Sequence, residues 1–436
     1  MIVDRISERA KIRKDDKKTT YLSIYDVLEK ITSEVISNDK ELVNDITLGN
    51  APESALENKI IKYINQYNFK VANKKRNELI KDIMDNIFGY GIVQKYLDIN
   101  DCNGVFINGP DNIWIQVKNK RERVNDSFGT ISNLTSFIRS INAKLGGEIN
   151  ENRPLAKFHD AENKLRIVAC ISPVAHLSPS VVFRKHRKDN FKLSDLIEIG
   201  MLPKELADEL KRYNFAGANI VICGKGGAGK TTLARALTEE LPETERILLM
   251  EEHPEWFLKH PGALQRLVKR NEKGHVTGLT ELTDMGLLET IDRYIFGEIR
   301  GSEAMPFFKG ALSGNTTMST THSTSAREVI DMLVINMKMS GTDIPTNVLR
   351  EILFKSINII IYMDRFTVRE VVEVVFEDEN NRFNDLWTFD VIRKETTFIE
   401  GNHRKVGIIK SKDMFNKLYD ANLIRKEEFE CFGYGS

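Results

Sequence analysis

The sequence has little cysteine and no long hydrophobic run. Its 436 residues contain four cysteines, at positions Cys102, Cys170, Cys223 and Cys431. No pair of them has metal-ligand spacing, so reduced thiols in a cytosol are the expected state. The longest strongly apolar run, Ile359–Met363, is far shorter than the about 20 residues of a membrane-spanning helix. These absences argue against a disulfide scaffold, a zinc module and an integral membrane protein.

Charge of one sign is not in excess either. Lys and Arg number 63, as do Asp and Glu, so the formal net charge is zero. No direct nucleic-acid partner is therefore predicted, and no acidic solvating tail. No signal peptide is expected, because an acidic residue occurs early and no apolar stretch follows it. The hydrophobic content of 41% and the charged content of 29% are typical of a globular protein.

The order of patterns along the chain predicts four segments. They are a helical N-terminal extension, an α+β N-terminal domain, a helical connector and an α/β domain, over residues 1–75, 76–190, 191–215 and 216–436. In the last segment apolar strands alternate with helices, which indicates a parallel sheet.

The N-terminal extension combines a charged run with an amphipathic helix. The run Lys11–Lys18 has mixed charge and indicates a solvated face or a flexible arm. Apolar residues then recur at three- and four-residue spacing from Ile24 to Val35, which is typical of an amphipathic helix. A small helical bundle and an arm that docks on a partner both fit this pattern.

A glycine-rich run is the strongest signal for function. It matches G-x-x-x-x-G-K-[ST] between an apolar strand and a helix, and its residues are Gly224, Lys225, Gly226, Gly227, Ala228, Gly229, Lys230 and Thr231. The glycines let backbone N–H groups surround a phosphate, and the following helix adds its positive end. Lys230 is expected to reach the β- and γ-phosphates, and Thr231 to bind Mg²⁺ beside Thr232. ATP and Mg²⁺ are therefore the predicted ligands.

The lysine early in this run leaves a second interpretation open. The residues from Lys225 to Thr231 also fit the loop of the ParA/MinD-type dimeric ATPases, in which the first lysine contacts phosphate across a dimer. Those proteins usually carry the loop near the N-terminus, whereas more than 200 residues precede it in this chain.

Further polar motifs stand at predicted strand ends, where an open α/β sheet presents its chemistry. Glu251 and Glu252 could orient or deprotonate the attacking water. Glu298 could hold a water on Mg²⁺, and Arg300 could face phosphate or a subunit boundary. His322 ends another short strand and is a candidate γ-phosphate sensor. Two ordinary loop acids and a structural histidine remain the simpler alternatives.

These motifs, in this order, resemble the secretion-superfamily ATPases of type II secretion, type IV pili and type IV secretion. The CpaF-like branch, which assembles tight-adherence pili, is the most similar, and the resemblance extends from about residue 80 to 395. Besides the glycine-rich loop and Glu251-Glu252, it rests on Gly89–Val93, Val105–Pro110, Gly146–Asn150, Arg153–Leu155, Phe183–Lys185, Gly297–Gly301 and Thr320–His322.

The resemblance implies a RecA-like P-loop ATPase domain within a hexameric ring. ATP would bind between the two domains, with Arg166 and Arg184 reaching it from the N-terminal domain. The ring would work at the cytoplasmic face of the membrane and drive an inner-membrane platform protein in pilus assembly or secretion. Whether pilin, protein or DNA is moved stays open.

Several positions depart from the family pattern. The second acid is Glu252 where Asp is usual, and Lys225–Ala228 replaces the usual small residues of the loop. Other expected residues, most of them cationic, are replaced at Leu288, Thr290, Asn315 and Met332. Because one charged donor near a phosphate can be worth several kcal/mol, hydrolysis is expected to be slow or to need the assembled ring. A nucleotide-binding assembly subunit with weak or no hydrolysis is the alternative.

Overall fold

The structure is a computed structural model that describes residues 24–67, 76–117, 120–185, 191–270, 276–301, 304–377, 382–395 and 398–425. The chain divides into two compact units, Met1–His186 and Arg187–Ser436. The charged run Lys11–Lys18 and Cys431 lie outside the described residues. None of the described helices has the length and apolar character to cross a membrane.

The helices of the first unit include a bundle that has its own core. Their bounds are α1 Ile24–Asn38, α2 Lys40–Thr47, α3 Glu53–Tyr67, α4 Arg76–Ile87, α5 Gln94–Leu97 and α6 Ile131–Leu145. The predicted amphipathic helix corresponds to α1, and its apolar side packs against α3 and α4 through Ile31, Ile60 and Ile83. The three- and four-residue spacing places these side chains on one face of each helix.

The strands of the first unit form one antiparallel sheet. Their bounds are β1 Cys102–Ile107, β2 Ile113–Val117, β3 Lys120–Val124, β4 Leu155–Asp160, β5 Leu165–Cys170 and β6 Ser180–Lys185, in the order β3-β2-β1-β6-β5-β4. The buried residues Ile167 and Phe183 belong to the same core as Leu134 of α6. Because side chains alternate along a strand, Arg166 and Arg184 face away from this core, and they are directly paired across β5 and β6.

The second unit begins with the residues predicted to form a connector. Its helices are α7 Leu193–Glu198, α8 Lys204–Phe215, α9 Lys230–Glu239, α10 Leu279–Gly286, α11 Ala304–Leu312, α12 Val329–Met339, α13 Thr346–Ser356 and α14 Lys412–Asp420. Leu196 of α7 and Leu206 and Leu210 of α8 are fully buried in the core that also covers α9. Residues 191–215 therefore pack as part of this unit.

The strands of the second unit form a mixed sheet. They are β7 Ile220–Gly224, β8 Ile247–Glu251, β9 Ala263–Leu267, β10 Lys269–Arg270, β11 Val276–Thr277, β12 Arg293–Ile299, β13 Thr316–Thr321, β14 Ile359–Asp364, β15 Thr367–Val374, β16 Phe383–Lys394 and β17 Ile399–Lys405. Within the described residues β10 and β11 pair separately, and the other nine follow the order β17-β16-β15-β14-β7-β13-β12-β8-β9.

The predicted α/β class is confirmed, with one addition. Strands β14, β7, β13, β12, β8 and β9, which are neighbours in this order, are parallel, as the alternation of strands and helices predicted. Strands β15, β16 and β17 extend the sheet antiparallel beyond β14. A two-residue turn at Arg365 and Phe366 joins β14 to β15, and so short a connection allows only antiparallel pairing. The sequence analysis did not predict this extension.

One buried arginine holds the start of β12 against the rest of the unit. Arg293 is only 1% exposed. Its Nε donates to Glu245 Oε1 at 2.6 Å, and its two terminal nitrogens donate to Asn214 Oδ1 at 3.0 Å and Asn214 O at 2.9 Å. All three nitrogens of the guanidinium are thereby paired, as a buried charge requires.

Replacing this arginine is expected to destabilise the protein strongly. The Arg293→Met change leaves the Glu245 carboxylate and the Asn214 oxygens without their donor, at a cost of about 3–5 kcal/mol in the free energy of unfolding. Urea unfolding measures the effect. Arg404→Ala is the control, because Arg404 pairs with Asp390 at the surface and should change stability little. An Arg293→Met protein as stable as this control would contradict the assignment.

Candidate active site

The glycine-rich run forms a tight loop between β7 and α9. Gly224, Gly227 and Gly229 have φ values of +143°, +79° and +97°, a region that residues with a side chain rarely adopt. A Cβ atom on Gly224 would lie 2.1 Å from the carbonyl oxygen of Met363 on β14. Only glycine therefore fits at Gly224, where the loop leaves the sheet.

The loop leaves open space at Gly226 and Gly227 and carries a buried lysine at its end. Nothing lies within 4 Å of the place that a Cβ of Gly227 would take, and at Gly226 the nearest atom is Cε1 of His322 at 3.8 Å. Lys230 is 7% exposed, and its Nζ donates to Gly224 O at 2.9 Å and Lys225 O at 3.2 Å. Burial lowers the pKa of Lys230, while the charge of Glu298 raises it.

These features fit a polyphosphate. A buried cation, glycine N–H groups and a helix N-terminus are together the usual elements of a phosphate site. Thr231 and Thr232 are half-buried in the first turn of α9, and Lys225 is exposed on the loop. Every residue of the predicted loop is therefore placed at this one site.

Glu298 and His322 meet next to the loop. Strand β13 lies between β7 and β12, so His322 and Glu298 reach the loop from adjacent strands. His322 Nε2 lies 2.7 Å from Glu298 Oε1, and Arg300 donates to the other carboxylate oxygen through Nε at 2.8 Å. Burial and the charge of Lys230 lower the pKa of His322, against an opposing effect of Glu298. Burial and Lys230 thus favour the neutral form of His322, whose ring N–H can donate to Glu298.

The two adjacent acids after β8 have different surroundings. Glu251 is 5% exposed, and its Oε1 accepts from the backbone N–H groups of Glu255 at 2.9 Å and Trp256 at 3.1 Å. Glu252 is exposed. A small cavity of about 30 Å³ is lined by Glu251, Glu252, Glu255 and Glu298 among others. The carboxyl group of Glu251 therefore holds the segment that follows it, and Glu252 is the more exposed of the pair.

The burial of Glu251 predicts a measurable pH dependence. Burial raises the pKa of Glu251 from 4.5 to about 8, so between these values the folded chain keeps a proton that the unfolded chain releases. The stabilisation is complete below about pH 4.5 and is lost as pH rises through about 8. Glu251→Gln, which stays neutral, should gain stability relative to the parent protein across this range, as measured by urea unfolding.

The exposed neighbour provides the control for this measurement. Glu252→Gln should leave the pH dependence of the free energy of unfolding as it is in the parent protein. If Glu251→Gln and the parent protein showed parallel stability curves between about pH 4.5 and 8, the protonation of Glu251 in the folded state would be disproved.

The sequence analysis missed one acid of this site. Glu255 lines the same small cavity as Glu298, and its charge acts on both Lys230 and Arg300. The signal that could have revealed it is the third acid of the run Glu251-Glu252-His253-Pro254-Glu255. Strand β8 ends at Glu251, and after the bends at Glu252 and His253 the irregular chain brings Glu255 to the same cavity.

Two predicted site residues belong to the other unit of the chain. Arg166 and Arg184 lie in the first unit, where Arg184 is exposed and Arg166 half-buried. Their contact with nucleotide stays a prediction.

Three of the positions that depart from the family pattern do not lie where the sequence analysis expected them. Leu288, 80% exposed, and Thr290 precede β12, and Asn315 precedes β13. The loop follows the C-terminal end of β7, which is parallel to β12 and β13. These three positions precede β12 and β13, so they lie at the opposite, N-terminal ends of the strands. Within one chain these three positions do not border the phosphate site, so an effect of these three replacements on hydrolysis could act only between chains.

The fold and the site together define a class of protein. A glycine-rich phosphate loop ends a central parallel strand, and a histidine and acids end the next three strands in the sheet. This is the arrangement of a P-loop nucleotide-binding α/β protein.

The family is identified by comparison with known proteins. The family described as "Type II/IV secretion system protein" matches residues 100–361, more than half of the chain. The chain belongs to this family. The predicted resemblance to the secretion superfamily is thereby confirmed, while the CpaF-like branch stays a prediction. Family membership also weighs against the ParA/MinD-type interpretation.

Individual relatives come from several secretion and transfer systems. The type IV secretion system protein VirB11 of Bartonella henselae is 31% identical over 170 residues, which are 37% of this chain and 48% of that protein. The chain thus spans about half the length of this relative. A PtlH homolog of Bordetella bronchiseptica is 26% identical over 318 residues, which are 65% of this chain and 92% of that protein.

A solved structure of the pilus retraction motor PilT with bound ADP is 13% identical. It covers 78% of this chain and 88% of its own, with a TM-score of 0.48. This similarity is too weak to support an argument about mechanism.

Proposed function

We propose that the chain is an ATP-hydrolysing motor subunit of a pilus or secretion machine. The observation that supports this most directly is the contact of 2.7 Å between His322 Nε2 and Glu298 Oε1, beside the buried amino group of Lys230. Next to the phosphate loop, a carboxylate and a histidine can contact the terminal phosphate of a nucleotide. A site that only bound nucleotide would not need these two groups.

The loop and Lys230 would bind the phosphates. Backbone N–H groups from Gly226 to Thr231 would surround the β-phosphate. The Nζ of Lys230, which donates to two loop carbonyls, is close enough to exchange one of them for a phosphate oxygen. Its burial strengthens the attraction, because a charge in a region of low dielectric is poorly screened. Lys225, exposed on the same loop, would contribute only at the edge.

The acids at the ends of β8 and β12 would activate the attacking water. Glu252 and Glu255 are the candidates to orient the attacking water, and Glu251 supports them by holding their segment in place. His322 and Arg300 would both donate to the carboxylate of Glu298 and hold it in position. Mg²⁺, held by Thr231 and through water by Glu298, would neutralise phosphate charge; such ions usually take few protein ligands and complete their shell with phosphate and water.

Thr231 lies in the first turn of α9, and the charge of Glu298 acts on the neighbouring Lys230, so both could take part in such a site. We propose that the nucleotide and water would supply the other ligands of the ion.

The wider assignment rests on the family and its relatives. We propose a homo-hexameric ring of the CpaF-like type that works at the cytoplasmic face of the membrane and acts on a platform protein in the inner membrane. Arg166 and Arg184, paired on an open sheet face, would contact the nucleotide from the first unit. Relatives named for type IV secretion and for conjugal transfer support a transport machine, and the cargo is not assigned.

Steady-state turnover of ATP tests the proposal. The purified chain, with its oligomeric state measured by light scattering, should release phosphate from ATP with Mg²⁺ and lose this activity with EDTA. A proven hexamer that binds ATP without turnover would instead support the assembly-subunit alternative. A chain that binds no nucleotide in any state would overturn the proposal.

A further inference from the structure

One face of the sheet in the first unit lies opposite to the core. Side chains alternate along a strand, so Ile115 and Phe183 enter the core while their neighbours in sequence point the other way. Two rows of such residues run across all six strands, one in register with Trp114 and one in register with Gln116. We call these two rows the open face, and all of their residues except Gly104 are exposed or half-buried.

The charge on the open face has only one sign. Its two rows, which lie entirely within the described residues, contain no Asp or Glu. Their positive residues are Arg121, Arg123, Lys157, Arg166 and Arg184. The net charge of zero, from which no nucleic-acid partner was predicted, is a sum over the whole chain and conceals this local excess. A face with charge of one sign attracts an extended polyanion.

Two aromatic side chains lie between the arginines of β3 and the positive residues of β6, β5 and β4. Phe106 and Trp114 are directly paired across β1 and β2, which brings their Cβ atoms to about 5 Å from each other. The ring of Phe106 covers Gly104, since the place of a Cβ on that glycine lies 3.1 Å from Cε2 of the ring. Trp114 donates through Nε1 to Asn112 Oδ1 at 2.8 Å, which fixes the indole. The two rings form a half-exposed aromatic surface.

The arginines of β3 border this aromatic surface. The guanidinium of Arg121 lies over the ring of Phe106, with its Cζ 4.8 Å from the ring centre, and its Nε donates to Gln116 Oε1 at 3.0 Å. Arg123 donates through Nη2 to Asp111 O at 2.8 Å. Because both arginines donate to uncharged oxygen atoms, these contacts leave their positive charge unneutralised.

We propose that the end of the open face formed by β1, β2 and β3 binds single-stranded nucleic acid. Unpaired bases stack on aromatic rings and on the planes of arginine side chains, and phosphates pair with arginine. Four-stranded sheets with aromatic residues on one face hold two or three bases in this way. An acidic peptide would match the charge but would bring no bases to the aromatic pair.

This binding does not require the proposed ATP hydrolysis. That proposal uses Arg166 and Arg184 of the open face but neither Phe106 nor Trp114. Changes to the aromatic pair should therefore alter the binding of a nucleic acid and leave the turnover of ATP as it is in the parent protein.

Binding of labelled oligonucleotides to the full chain tests the proposal. Oligothymidylate and oligouridylate of about 12 nucleotides distinguish DNA from RNA, and binding of either supports the site. Trp114→Ala should weaken this binding about tenfold, because a stacking partner is lost. Arg121→Gln and Arg123→Gln should each reduce the slope of log affinity against log salt by about 0.7, the effect of one phosphate contact on a single strand.

The fluorescence of Trp114 gives a readout that a purely structural role would not change. Of the three tryptophans, Trp256 and Trp387 are only 1% and 3% exposed, whereas Trp114 is half-buried. Stacked bases should therefore quench the emission of Trp114 in the parent protein. Trp114→Phe should keep most of the affinity, since a phenyl ring also stacks, but this quenching should disappear.

A matched control and a competitor separate the possible failures. Arg153→Ala removes a positive charge that precedes β4, lies outside the open face and pairs with Glu148, and it should bind both oligonucleotides like the parent protein. The proposal would be overturned by a parent protein that bound neither oligonucleotide, or by Trp114→Ala and Trp114→Phe proteins that matched it in affinity and quenching. Equally strong competition by polyglutamate would also overturn it, because the face would then bind acidic peptides.

Discussion

Lys230→Ala is expected to abolish measurable ATP turnover. A single charged or hydrogen-bonding group aimed at developing charge contributes about 10²–10³ in rate, and Lys230 also holds the loop in shape. Its Nζ bridges Gly224 O and Lys225 O, so its loss removes both a phosphate contact and a support of the loop. Nucleotide affinity should therefore fall together with turnover, which calorimetry with ADP and phosphate-release assays would measure.

A control variant must show whether the loss of turnover comes from the missing charge of Lys230 or from loss of the fold. Lys211→Ala removes a lysine that pairs with Glu240 at the surface of the same unit, and it should turn over ATP like the parent protein. A Lys230→Ala protein that bound ADP normally and hydrolysed ATP at the parent rate would show that this loop is not the nucleotide site. Thermal unfolding of both variants would show whether the unit remains folded.

Glu298→Gln is expected to lower turnover by about 10²–10³ while ADP affinity changes by only a few-fold. The amide keeps the size of the side chain and can still accept from Arg300, but it has no charge to orient a water on Mg²⁺. The contact with His322, now 2.7 Å from a carboxylate oxygen, would also weaken. This separation between binding and turnover is the signature of a group that acts in the chemical step.

A second acid, which precedes the start of β12, provides the comparison. Glu289→Gln removes a carboxylate that pairs with Arg266 before the start of β12, at the other edge of the sheet. Its turnover should equal that of the parent protein. If Glu298→Gln lost ADP binding and turnover in equal measure, Glu298 would be a binding group only, and the motor proposal would lose its main support.

The candidate site shows which kinds of residue a linear pattern can reveal. The position of the glycine-rich loop between a strand and a helix was predicted correctly, because it depends on one continuous run of residues; its binding of phosphate stays a prediction. Glu298 and His322 were predicted from their positions at strand ends, and the structure brings them into contact. Glu255 was missed, since only the path of the chain after β8 brings it to the cavity. Glu251 was predicted to share in water activation; it is buried and accepts two backbone N–H groups, and its part in water activation stays a prediction.

The cavity beside β15, β16 and β17 could not have been predicted at all. The residues that line it extend from Gly200 to His403, across about four-fifths of the second unit in sequence. The antiparallel strands that carry it were not anticipated, because their alternation gives no sign of where they attach to a parallel sheet.

The amino-acid sequence by itself determined the local elements: the helix of Ile24–Asn38, the strands that alternate with helices, and the loop from Gly224 to Thr231. Each depends on neighbours a few residues away, through periodicity, turn chemistry and glycine geometry. Only the tertiary structure decided which acids meet the loop, that Leu288 and Thr290 lie at the far edge of the sheet, and that β15 to β17 extend it. Those outcomes depend on strand order, which is set by the burial of two cores at once and is not encoded in any short stretch of the chain.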